Sequence, residues 1–269
     1  EAAVDYEQIL FEVQGAVGGM TLNRPERWNA WTFQMSTELV DAIDSCNAND
    51  DLGAMIITGA GRGFCAGADI KDTFKTRLDG DDPAPKRRDP RDWVDLVRSS
   101  KPIIAAVNGA SVGVGATMIL PCDVIIASEN AKFSMGFIKM GLVPELASSH
   151  FLVQRLGFGR ASEMCLSGRM YSGNEAYEVG LADHVVPPDQ LMDKALELAT
   201  TIAQNPAPQL RWIKHLLTEN GSDSDLHKVQ KREGELLQQA YATPEHKEAI
   251  AAFLDKRPAD FRNLHKQDG

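Results

Sequence analysis

The chain has 269 residues, with 28 Lys and Arg against 38 Asp and Glu, a formal net charge of −10. Phosphate backbones are held mainly by Lys and Arg, so this balance excludes a general nucleic-acid binder. Hydrophobic residues at 43% and charged residues at 25% are ordinary for a chain that buries a full core, which excludes bulk disorder.

Two short strands are predicted over residues 8–13 and 16–22, joined at Gly15 and ended by Asn23-Arg24-Pro25. Met35, Leu39, Ala42, Ile43 and Cys46 then recur at helical spacing behind Thr32, a suitable N-cap, which predicts a helix over 32–47. Residues 52–58 are almost continuously apolar, as in a strand buried on both faces, and lead into a loop over 59–67. Residues 72–92 are dense in charge and proline and read as a mobile surface segment. Trp93, Val94 and Val97 suggest a helix, 103–107 a second buried strand and 124–127 a third, with small residues over 109–115 opening a helix over 116–120. Strands alternating with helices place the chain in the α/β class with parallel pairing.

Beyond residue 187 the strand signals end. Helical stripes follow at Ala195, Leu198, Ala199 and Ile202; at Leu210, Ile213, Leu216 and Leu217, closed by Asn220-Gly221; at Leu226, Val229, Leu236 and Leu237; and at Ala249, Ile250 and Phe253 behind Thr243-Pro244. We therefore divide the chain into a core over 1–186 and a helical C-terminal region over 187–269. No run reaches the roughly 18 to 20 apolar residues of a membrane span, and residues 1–5 carry no secretory signal. Cys46, Cys65, Cys122 and Cys165 are widely spaced without a C-x-x-C, which argues against a disulfide framework and a metal site. A reducing, cytoplasmic location is the expectation.

The dinucleotide fingerprint fails twice, at Ala66 and at Met118, where a third glycine belongs, and neither a P-loop nor an H-E-x-x-H is present. Gly109-Ala110-Ser111-Val112-Gly113 matches G-x-S-x-G between a predicted strand and helix, so one reading makes Ser111 a hydrolase nucleophile, with Asp183 or Asp189 and His215 or His227 completing a triad. The competing reading joins two loops of small residues, 63–70 and 108–115, each following a buried strand. Backbone N–H groups there can approach a ligand closely, and two such donors converging form an oxyanion hole.

Taken together, Asn23-Arg24-Pro25 with Asn29-Ala30, Phe64-Cys65-Ala66-Gly67-Ala68-Asp69-Ile70-Lys71, the run from Lys101 to Gly109, Cys122-Asp123, Gly141-Leu142-Val143-Pro144, Gly180-Leu181-Ala182-Asp183 and Phe253-Leu254-Asp255-Lys256-Arg257 resemble the crotonase, or enoyl-CoA hydratase/isomerase, superfamily. The resemblance implies a crotonase-like spiral of ββα units with a C-terminal helical trimerisation region. It implies an acyl-CoA substrate, no permanently bound cofactor or metal, and a homotrimer or dimer of trimers. The amides of Ala68 and Val114 would hold the thioester oxygen as an enolate forms. Arg27, Trp28, Ala66, Ala68, Asp69, Ile70, Lys71 and Lys256 would bind the coenzyme A portion, Lys256 from its own or a neighbouring subunit.

Both glutamates of the hydratase pattern are replaced, by Thr117 and Phe137, while Glu145 stands where hydratases carry glycine. This is similar to the peroxisomal-type isomerases, which convert 3-enoyl-CoA to 2-enoyl-CoA with one glutamate at that position. Glu145 would move a proton from C2 to C4, with Met135 and Phe137 excluding water and raising its pKa. The plainer reading of Glu145 is an acid at a helix N-terminus. The alternatives are an enoyl-CoA hydratase, another crotonase-type lyase or hydrolase, the Ser111 hydrolase, or a non-catalytic binding relative using Lys86-Arg87-Arg88. Asp69 reads as a turn cap, Cys65 as a small filler, His150 and His184 as structural, and Trp28 and Trp31 as channel or core residues.

Overall fold

A computed structural model describes residues 5–70 and 91–264. Strands β1 (Ile9–Gln14) and β2 (Val17–Leu22) form the expected antiparallel hairpin, turned at Gly15 with φ 59°. Helix α1 (Phe33–Ala48) starts where the sequence indicates, with the Thr32 side chain accepting from the Met35 amide at 3.0 Å. It returns the chain to β3 (Ala54–Gly59), which pairs parallel to β2.

In the central part of the chain three strands of a large sheet are each followed by a short strand of a smaller one. Strand β4 (Gly63–Cys65) follows β3, β6 (Ala110–Val112) follows β5 (Ile103–Val107), and β8 (Lys132–Ser134) follows β7 (Val124–Ser128). The six-stranded sheet runs β1-β2-β3-β5-β7-β10 and the four-stranded sheet β4-β6-β8-β9, with β9 at Tyr171–Ser172 and β10 at His184–Val186. Helices α2 (Trp93–Ser99), α3 (Val114–Thr117), α4 (Ser148–Leu156), α5 (Phe158–Ser167) and α6 (Gly173–Val179) return the chain between turns of this spiral. The sequence reading treats 63–70 and 108–115 as loops and places no helix between 128 and 186. The structure puts β4 and β6 inside those loops, starts α3 at Val114 rather than residue 116, and adds α4 to α6. Three-residue strands carry too little alternation to be read.

At the corner between β5 and β6, a Cβ on Gly109 would lie 1.9 Å from the Arg62 carbonyl, so only glycine lets the two spiral turns meet. Strand β3 is buried on both faces, as its apolar run indicates. Met55 and Ile57 enter the main core with α1 residues such as Leu39 and Ile43. Ala54 and Ile56 enter a second core closed by α7 (Leu191–Ala203) through Leu191, Ala195, Ala199 and Ala203. Helices α8 (Ala207–Asn220), α9 (Leu226–Tyr241) and α10 (Pro244–Leu254) follow, α10 capped by Thr243 as expected.

Buried charge ties these layers together. The Asp123 carboxylate accepts from the Ile103 amide at 2.8 Å and pairs with Arg98 at 3.0 Å and Lys214 at 2.7 Å. Asp183 accepts from the Ile125 amide at 2.8 Å, which fixes the entry to β7 in the same way. Among the described residues no helix is long and apolar enough to cross a membrane.

Candidate active site

The first loop is set by Asn29. Its buried side chain donates to the carbonyls of Ala60 at 2.9 Å and Gly63 at 2.8 Å, and accepts from the Arg24 amide at 2.8 Å. Asn29 and Trp28 both have φ near the left-handed region, 55° and 52°, a conformation Asn tolerates better than most residues. The turn they make aligns Trp31 with Ala68. Trp31 donates to the Gly67 carbonyl, and the Asp69 amide donates to the Trp31 carbonyl, both at 2.8 Å. The Ala66 amide donates to Trp28 at 3.0 Å. Between these bonded neighbours, the Ala68 amide has no backbone partner among the described residues.

The second loop leaves β6 at Gly113, with φ 56° and ψ −125°, a conformation open to glycine. Val114, the first residue of α3, has an amide without a backbone partner among the described residues, as expected for a first helical residue. A Cβ on Gly115 would fall 2.1 Å from the Cys65 carbonyl, so glycine there lets α3 seat against β4. A Cβ on Gly113 would lie 4.0 Å from the Gly67 Cα, which places the glycines preceding the two unpaired amides side by side. Two fixed N–H donors so arranged suit an oxygen that gains negative charge during reaction.

Glu145 meets the last residue of α3, Thr117. The chain leaves the 3-10 turn Gly136–Met140 through Gly141 at φ 66°, and after Glu145 it passes through Leu146 and Ala147, at φ 55° and 53°. Glu145 therefore precedes α4, which begins at Ser148, and does not sit in its first turn. Part of the residue is open to solvent, while its Oε1 accepts a short hydrogen bond from the Thr117 hydroxyl. Burial pushes the Glu145 carboxyl above the usual carboxylate range, and the Thr117 bond draws it partly back. Met135 is fully buried and Phe137 half-buried against the main core.

The other candidates fall into three groups. Trp28 is 44% exposed and lies under the Arg62 guanidinium, 5.0 Å from its ring centroid, whereas Trp31 is packed against the core. Asp69 joins Arg24 in an ion pair at 3.1 Å, and the turn it was read as capping lies outside the described residues. Arg24 also donates to the Ala30 carbonyl at 2.7 Å, so this pair braces both sides of the loop. The Ala66 and Asp69 amides are engaged internally, whereas the Ala68 amide and the carbonyls of Ala66 and Ala68 have no backbone partner among the described residues.

Arg27 and Ile70 are exposed beside the same loop, and Lys71 lies outside the described residues, as do Lys86, Arg87 and Arg88. No hydrogen bond or ion pair joins Lys256 to residues 66–70 among the described residues. Arg262, six residues after Lys256, donates to the Ala203 carbonyl at 3.0 Å. Ala203 abuts Gly53 at the start of β3, whereas the loop follows the opposite end of that strand.

Ser111 is fully buried, and its hydroxyl donates to the Gly115 carbonyl at 2.9 Å. No hydrogen bond joins it to a histidine among the described residues, and the Asp183 carboxylate is held by the Ile125 amide and Arg155. The nucleophile-elbow expectation is therefore corrected: G-x-S-x-G here spans a short strand and a close glycine contact. Burial pushes the Cys65 thiol up to about 11, consistent with a small filler. A concavity lined by Glu12, Gln14, Thr21, Thr58, Met192 and Leu196 lies on the α7 face of the large sheet and holds none of these residues. Sequence reasoning assigned no contact to Thr117, Asn29, Arg24 or Arg62. Asn29 stood inside a noted motif, but no local rule links Thr117 to a residue 28 positions away.

Residues 12–264 match the family model described as enoyl-CoA hydratase/isomerase. The chain is 37% identical over 260 residues to "Probable enoyl-CoA hydratase echA8" of Mycobacterium tuberculosis (strain CDC 1551 / Oshkosh), covering 95% of this chain and 98% of that one. It is 36% identical over 264 residues to the 1,2-epoxyphenylacetyl-CoA isomerase of Escherichia coli (strain K12), covering 95% and 98%. The crystal structure of an enoyl-CoA hydratase from Polaromonas sp. JS666 superposes with a TM-score of 0.84 at 29% identity, covering 94% of this chain and 98% of that one.

Proposed function

The chain belongs to the enoyl-CoA hydratase/isomerase family, and from that premise we propose that it converts 3-enoyl-CoA to 2-enoyl-CoA with Glu145 as its one base. The observation that carries this reading is that α3 has the Val114 amide at its start and, at its end, Thr117, whose hydroxyl holds the Glu145 carboxyl. With the substrate thioester oxygen on the Ala68 and Val114 amides, the C2–H bond breaks toward Glu145 and its electron pair spreads into a dienolate. The proton then returns at C4, so the reaction needs no water, oxidant or permanent cofactor. A raised carboxyl pKa brings the base nearer to the acidity of the proton it takes.

Coenzyme A, on this reading, lies along Arg27, Trp28, Ala66, Ala68, Asp69, Ile70 and Lys71, with Lys256 supplied across a subunit boundary in a trimer or a dimer of trimers. The protein would act in the cytoplasm. A second reading, hydration of 2-enoyl-CoA, is favoured by the name of the mycobacterial relative. It requires carboxylates that here are Thr117 and Phe137.

The two are separated by measuring 3-enoyl-CoA isomerisation and 2-enoyl-CoA hydration over several chain lengths, with wild type and Glu145→Gln. We expect isomerisation to dominate and to fall about 100-fold or more in the variant, as loss of a general base requires. Dominant hydration, or a variant as active as wild type, rejects the assignment. Only the ionised carboxylate accepts the C2 proton, so kcat should fall as pH drops through a value above the ordinary carboxylate range.

A further inference from the structure

We propose that Thr117 is the positioning residue for the Glu145 base, holding Oε1 in place so that Oε2 carries the proton between C2 and C4. The inference rests on the isomerase reading above and deepens it. Thr117 is fully buried, and its hydroxyl oxygen lies within reach of two acceptors, Glu145 Oε1 and the Val114 carbonyl, the latter at 3.4 Å. A hydroxyl has one proton to donate, so it serves one acceptor at a time. While Glu145 is ionised, the proton is given to Oε1. Once Glu145 holds the substrate proton, the hydroxyl can turn to the Val114 carbonyl without leaving a buried donor unpaired.

The arrangement also fixes distance. Thr117 stands three residues after Val114 on α3, one turn along the same face, so the anchor of the base and the second amide of the oxyanion hole belong to one rigid turn. The base is thereby indexed to the position of the substrate oxygen. No step requires a further reactant: the C2–H bond breaks toward Oε2, the electron pair passes into the dienolate, and Oε2 returns the proton as the C4–H bond forms.

Removing the hydroxyl should also alter the titration of Glu145, because a hydrogen bond to the ionised form favours that form. Lys139 on the 3-10 turn and His150 on α4 flank Glu145 in sequence, and neither forms an ion pair with it among the described residues. Among the described residues, burial and Thr117 are what act on it.

The experiment compares Thr117→Val, which keeps the shape and loses the hydroxyl, with Thr117→Ser, which keeps the hydroxyl, in the isomerisation assay across pH. In Thr117→Val we expect kcat to fall about 10- to 100-fold with KM nearly unchanged, the size expected when a reacting group is misplaced. The acid limb of its kcat profile should move to higher pH, and Thr117→Ser should restore both. If valine prevents folding, Thr117→Ala against Thr117→Ser gives the same comparison. A valine or alanine variant with wild-type kcat and acid limb, in an enzyme that Glu145→Gln inactivates, overturns the role of Thr117 and leaves the base assignment standing. Activity retained in Glu145→Gln overturns both.

Discussion

On the proposed mechanism, Gly113 would govern the chemistry without touching it. Its φ of 56° and ψ of −125° direct the Val114 amide, and the position a Cβ would occupy is 4.0 Å from its nearest neighbour. Space is therefore open, and an alanine there would be opposed by backbone strain alone, about 1–3 kcal/mol. We expect Gly113→Ala to fold, with a melting temperature lower by about 2–4 °C for each kcal/mol at this chain length. Relief of the strain rotates the Val114 N–H, so kcat should fall about 100- to 1,000-fold, as when one oxyanion donor is removed. Unchanged kcat at a lowered melting temperature would show that the amide is not a donor to the reacting oxygen. Gly67 and Gly113 were legible as small residues in two loops, and so was the idea of two converging amides. What could not be read was the anchor of the base. Thr117 stood in the sequence as a missing glutamate, and only the fold turns that absence into a contact with Glu145.

At the scale of elements, the six-stranded sheet was readable wherever a strand was long or doubly buried. Thr32 starting α1, the apolar run of β3 and the Thr243 cap of α10 follow from propensity and pattern. Strands β4, β6 and β8, three residues each, were not readable, because their pairing is imposed by the corner glycines of neighbouring turns rather than by alternation. Helix α7 offers a test of how closely a layer is set. Ala195, Ala199 and Ala203 line its sheet side, and a Cβ on Gly53 would fall 2.7 Å from the Ala203 Cα, so the helix meets β3 at backbone distance. Ala199→Leu should force the helix away from the sheet and destabilise the fold by about 1–3 kcal/mol. A lower urea midpoint with an unchanged slope is the expected result. Because the site lies on the other side of the sheet, kcat at 25 °C should change by less than about 2-fold, within the additivity expected of distant sites. A large loss of activity without loss of stability would mean that α7 and the site are coupled.

For the whole molecule, apolar surface and charge point to the same arrangement. Leu217, Leu226, Phe253 and Leu254 are 67%, 74%, 81% and 71% exposed in the single chain, on the three helices α8 to α10. Large exposed apolar groups, here and also at Val143, Phe158 and Leu166, are the kind that an interaction surface covers, and a second copy of the chain is the occupant that the trimer reading supplies. The net charge of −10 opposes a phosphate-bearing substrate, so cations near the loop must offset it locally. Arg62 stacks on Trp28, and Lys256 lies two residues beyond α10, at the edge of this apolar surface. If Lys256 reaches the loop of a neighbouring subunit, assembly and coenzyme A affinity are linked. Mass photometry of the wild type should give three or six times the 29.4 kDa chain mass, and Phe253→Asp should shift it downward. Lys256→Ala, in an intact assembly, should raise KM about 2- to 5-fold, the range of a solvent-screened charge contact, with kcat unchanged. Phe253→Asp should raise KM at least as much, because it removes the neighbour that carries the lysine. A monomeric wild type rejects the trimer, while an intact assembly in which Lys256→Ala leaves KM unchanged confines the coenzyme A site to one chain.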